Sequence, residues 1–158
     1  MRRKRYLFVS FLFIFLLLFS GGCSRTVEQT DGSGDAGGLT VSAAFEREDG
    51  TSLSDCTVRF SDGENSADYQ PAQDGTLTVS GLPGEGELTV TALDGREEPL
   101  GTVTLRFSRG AVIDAVTDEN AVAHVTLKED TREIALRFTL YDDNTLGCEL
   151  QLSEERIV

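Results

Sequence analysis

From Leu39 onward the chain keeps a two-residue beat. Leu39, Val41, Ala43 and Phe45 alternate with Thr40, Ser42, Ala44 and Glu46. The same beat returns in 56–60, 77–79, 88–92, 103–107, 123–127, 134–140 and 146–152. Successive side chains on a strand point to opposite faces, so each segment offers one face to a core and one to water. Residues 111–116 read as a further strand with a less defined inward face. No stretch has the period of an amphipathic helix. Asp-Gly at 49–50, 62–63, 74–75 and 94–95, and Asp-Glu-Asn at 118–120, separate the segments with residues suited to turns. The pattern predicts an all-β fold over residues 39–158: a two-sheet antiparallel β-sandwich of eight or nine short strands. Residues 61–74, rich in Asp, Asn, Gln and Ser, lack the beat, and their length predicts a functional loop or mobile insertion.

The start of the chain is patterned differently. Arg2, Arg3, Lys4 and Arg5 precede the apolar run Tyr6–Phe19, in which only Ser10 is polar. A membrane-spanning helix needs about 20 apolar residues, more than this run holds. Charge, a short apolar core and the small residues Ser20, Gly21 and Gly22 describe an N-terminal secretory signal helix. With Cys23 directly behind them, these residues resemble the lipobox of bacterial lipoproteins. Gly21 and Gly22 match its small positions and Cys23 its modified position, while Ser20 stands where the family prefers Leu. The resemblance implies a lipoprotein signal peptide over residues 1–22, cleaved before Cys23. The Cys23 sulfur would then carry a diacylglycerol that anchors the mature chain in the lipid bilayer, outside the cytoplasm. Two acyl chains satisfy the need of a stable anchor for more than one. Residues 23–38 follow as a flexible Gly/Ser/Asp-rich tether, with a reach of roughly 20 Å.

Charge narrows the function. There are 27 acids against 14 basic residues, a net charge of −13. Four of the basic residues lie in the predicted leader and every acid follows residue 27, so the mature chain is more acidic still. Such a surface repels phosphate, which argues against nucleic-acid binding and against polybasic docking on anionic lipid.

Candidate chemistry is sparse. His124 is the sole histidine, and it falls opposite the inward Ala123, Val125 and Leu127, as a solvent-facing strand residue does. A triad or Cys-His pair would depend on it alone, and zinc needs three or four His or Cys ligands. Carboxylates are abundant, and a small hydrolase using a pair of them is one alternative. Calcium at Asp62, Glu64, Asn65 and Asp68, at Asp118, Glu119 and Asn120, or at Asp142, Asp143 and Asn144 is another. None of these has a spaced ligand motif. Asp31, Ser33 and Asp35 start like a calcium loop, but Ala36 and Ser42 occupy its glycine and closing-glutamate positions. No metal or cofactor is therefore expected. Phe45, Phe60, Phe107 and Phe138 are inward by phase, which leaves Tyr69 and Tyr141 as the rings expected at the surface. Cys56 and Cys148 are also inward, and export permits a disulfide between them. That bridge would contribute roughly 4–5 kcal/mol. Otherwise the two are separate buried thiols; a bridge requires Cα atoms within about 7 Å.

Asp74-Gly75-Thr76-Leu77-Thr78-Val79-Ser80-Gly81-Leu82-Pro83, followed by Gly86–Val90, resembles the hairpin of carboxypeptidase regulatory-like and transthyretin-like sandwich domains. The resemblance implies a non-catalytic folding, binding or spacer module. The related collagen-adhesin B-type repeats carry a Lys–Asn isopeptide bond, but the first strand here has no Lys, and Lys128 is the only Lys beyond the leader. The expectation is an envelope lipoprotein, not an enzyme, displaying an acidic β-sandwich for binding or scaffolding. A glycan- or peptide-binding accessory module of an envelope complex is the alternative.

Overall fold

A computed structural model describes residues 38–151. The predicted signal helix and lipidated Cys23, and nearly all of the tether, lie outside the described residues. The alternating segments form ten strands: β1 (Leu39–Arg47), β2 (Thr57–Ser61), β3 (Ser66–Tyr69), β4 (Thr76–Leu82), β5 (Gly86–Leu93), β6 (Pro99–Gly110), β7 (Asp114–Thr117), β8 (Val122–Lys128), β9 (Glu133–Leu140) and β10 (Leu146–Gln151). One sheet has the order β10-β9-β1-β4 and the other β3-β2-β5-β6-β8-β7. The fold is an all-β sandwich of two sheets.

The inward phase holds almost throughout. Val41, Phe45, Val58, Val90, Val103, Leu105, Val125, Leu127, Leu136 and Phe138 are buried in one cluster drawn from both sheets. Burying such side chains contributes about 1.5–3 kcal/mol each. The Phe45 and Phe138 rings stack with centroids 4.6 Å apart.

That stacking depends on a feature that alternation did not announce. β9 lies parallel to β1, with Phe45 beside Phe138. β8 likewise lies parallel to β6. The sheets are therefore mixed, where the sequence pattern predicts antiparallel ones. The period of a strand sets its faces but carries no mark of its neighbour's direction.

Three further expectations change. The predicted loop at 61–74 contains β3, which pairs antiparallel with β2. Arg59 and Asp68 clasp across that pair at 2.6 and 2.7 Å. The strand foreseen from Ala111 starts only at Asp114, and Ala111 and Val112 are exposed. The segment read as a hairpin is a corner instead: β4 lies in one sheet and β5 in the other, joined through Pro83, Gly84 and Glu85. Leu82 is buried at its start, so the chain crosses between layers there.

Gly75 makes another crossing feasible. It has φ of 82°. Its N–H donates to the Ala72 carbonyl at 2.8 Å, and its own carbonyl accepts from Phe45 N–H at 2.9 Å. A Cβ at this position would run into the Phe45 carbonyl.

Candidate functional site: a groove between two strand edges

Six turns share one device. The Oδ1 atoms of Asp49, Asp62, Asp74, Asp94, Asp118 and Asp143 accept backbone N–H bonds from residues two to four positions further on, at 2.7–3.2 Å. An aspartate that bonds forward in this way closes a turn with its own side chain. Bonds to the ionised form hold each of these six carboxyls below the usual aspartate range. The first cause is the Thr side chain for Asp49, Asp74 and Asp143, and a backbone N–H for Asp62, Asp94 and Asp118.

The three loop clusters considered for calcium owe part of their character to this device. Asp62, Asp118 and Asp143 spend oxygens on their own turns, and Asp68 is held by Arg59. Among the described residues no group of three or more His, Cys, Asp or Glu converges as a metal site would. His124 is exposed on the outer face of β8, with Nε2 3.5 Å from an Asp118 carboxylate oxygen.

Cys56 and Cys148 are both buried, and both are free thiols. The disulfide considered from sequence is absent because the two strands do not meet. Cys148 lies on β10, which packs on β7, β6 and β8. Cys56 precedes β2, two to four strand positions from those three in the other sheet. At about 4.8 Å per strand this is roughly 10–19 Å, beyond the reach of a bridge. The Cys56 Sγ donates instead to the Leu53 carbonyl at 2.9 Å. Burial raises both thiol pKa values, that of Cys148 to about 12.

Cys148 also lines an open groove between two strand edges. β7 ends the six-stranded sheet and β10 ends the four-stranded sheet on the same flank. Just before β10, Thr145 bridges Thr102 of β6, where β6 runs beyond the start of β8. Further along, β10 meets β7 through one side chain. The Thr117 hydroxyl donates to the Cys148 carbonyl at 2.7 Å and accepts from the Cys148 N–H at 3.0 Å. One hydroxyl thus stands in for a ladder partner and ties the two edges together. Around this tie lies an open groove of about 420 Å³, lined among others by Ala115, Val116, Asp118, Tyr141, Gly147 and Glu149. Gly147 lets the Tyr141 ring lie on the strand, since a Cβ there would come 2.9 Å from Tyr141 Cε2.

Sequence reading placed Tyr141 at the surface, and it is 38% exposed. It placed Tyr69 there too, but that ring is half-buried, edge-on to Phe60 at 5.6 Å. The groove itself went unread. Its signal was the solvent-side valine of β7, Val116, which is 58% exposed. No protein family, characterised protein or solved structure matches this chain.

Proposed function

We propose that the chain is an exported bacterial lipoprotein, held on the extracytoplasmic face of a membrane by lipid on Cys23, and that its sandwich is a non-catalytic binding module. The observation that carries this reading is the run of four basic residues, a short apolar core, Gly21-Gly22 and Cys23, followed by a tether and an acidic β-domain. Binding is favoured over paired-carboxylate hydrolysis because Asp62, Asp118 and Asp143 direct oxygens at their own turns. The β7–β10 groove is the face assigned to the partner.

Cell fractionation tests the anchor. Cys23→Ala should leave the chain unprocessed or release it from the membrane fraction, without incorporation of labelled fatty acid. A variant processed and labelled like the parent overturns the reading.

A further inference from the structure

We infer that the β7–β10 groove takes an extended, cationic peptide segment of a partner protein, which adds as a strand to the free edge of β7. The inference rests on the binding-module reading above and names what that module binds.

Hydrogen-bond phase is the first argument. In the β7–β8 hairpin the Asp118 N–H bonds to the Val122 carbonyl at 2.9 Å. Pairing alternates along an antiparallel ladder, so Val116 bonds to its partner His124 in the same way. The backbone N–H and C=O groups of Ala115 and Thr117 therefore point away from β8, to the open side. On β10 the same phase applies. The Tyr141 N–H bonds to the Thr145 carbonyl at 2.9 Å, which turns the Leu146, Cys148 and Leu150 backbone away from β9. Cys148 is satisfied by Thr117. Among the described residues the β7 edge remains as a template.

That edge is guarded only by its shortness, four residues, and by one charge. Natural edge strands are commonly blunted by lysine, proline or a bulge. β7 reads Asp-Ala-Val-Thr, with none of these and one charge at its start. Among the described residues the large exposed apolar side chains are Val112, Val116 and Tyr141, at 58%, 58% and 38%. Val116 and Tyr141 line the groove, and Val112 sits two residues before β7. The meeting of Val116 and Tyr141 in one groove marks an interaction surface rather than scattered surface apolarity. The four residues of β7 give an edge of about 13 Å, enough for three or four guest residues in the manner of strand addition.

Charge selects the occupant. Among the described residues the charged side chains lining the groove are Asp118 and Glu149, with no Lys or Arg. A second copy of this chain, with its net charge of −13, would bring acid against acid. A guest with lysine or arginine at alternate positions meets the acids, and its aliphatic positions meet Val116 and Tyr141.

The test uses the full chain in detergent, with an alternating lysine–valine hexapeptide as probe and a glutamate–valine hexapeptide as comparison. Saturable binding of the first, at least tenfold tighter than the second, is expected. Ala115→Pro removes an outward donor that β8 does not use and should weaken binding about tenfold, the loss of one edge hydrogen bond. Val116→Lys changes an exposed side chain and should weaken it at least threefold, which keeps the test open should the proline variant not fold. No binding by the parent, equal binding of the acidic peptide, or parent-like affinity in Val116→Lys overturns the inference. So does sedimentation showing a dimer that Val116→Lys dissolves, since a second copy would then be the occupant. The Cys23→Ala fractionation does not involve the groove, so failure here and failure of the lipoprotein reading are separable.

Discussion

Thr117→Val replaces a hydroxyl by a methyl of nearly the same size, and so asks what the tie between β7 and β10 contributes. The hydroxyl serves the Cys148 N–H at 3.0 Å and the Cys148 carbonyl at 2.7 Å. Each such bond has a net worth of about 1 kcal/mol, and each buried group left unpaired costs about 1–3 kcal/mol. The groove is open, so water can reach part of the stranded pair and the upper figure is not reached. A loss of about 1.5–3 kcal/mol is expected, together with a fall in Tm of roughly 5–12 °C for a domain of this size. Thr117→Ser keeps the oxygen and should lose under about 1 kcal/mol. Urea unfolding of the parent and both variants, with Cys23 replaced and the leader removed, gives the numbers through the midpoint at constant m. If valine and serine variants both unfold within about 0.5 kcal/mol of the parent, the hydroxyl bridge contributes nothing and the account of the corner is wrong.

Cys56 and Cys148 should resist alkylation in the native chain and react once it is unfolded in urea, with no mass change on reduction. Burial raises both thiol pKa values, and fast native labelling would show that the strand phases at Cys56 and Cys148 are mistaken. Gly75→Ala should destabilise the sandwich by more than the ~1–2 kcal/mol of a left-handed residue alone, because the added Cβ also meets the Phe45 carbonyl; thermal melting within 2 °C of the parent, roughly 0.5 kcal/mol, would count against it. The turn aspartates are held below their ordinary value of 3.8 in the folded chain. Their contribution is present above that value and is lost as pH falls through the lower folded values. Melting temperature should therefore be level from neutral pH to about 5 and fall below about 4; a decline already complete by pH 5 would refute the turn assignment.

Residue order along the chain was enough to decide which face of nearly every strand is buried. Phe45, Val58, Val90, Leu105, Val125 and Phe138 all lie in the core where their phase puts them. It was also enough to place the turns at 49–50, 62–63, 94–95 and 118–120, because an Asp that bonds forward closes a turn using only its near neighbours. Short-range hairpins such as β5–β6 and β7–β8 follow from the same locality. β3 escaped because Ser66-Ala67-Asp68-Tyr69 is an exposed edge with little apolar phase, held by pairing with β2 and by the Arg59–Asp68 clasp. Which strands lie beside one another over long distances was not legible. Nothing in Ile134–Leu140 says that it runs parallel to Leu39–Arg47, since alternation is the same read in either direction. The groove depends on that assembly. Thr117 and Cys148 are 31 residues apart, and each looks ordinary in its own strand. Only packing one sheet on the other brings the β7 and β10 edges to the same flank, leaves Val116 and Tyr141 uncovered there, and turns one threonine hydroxyl into the tie between them.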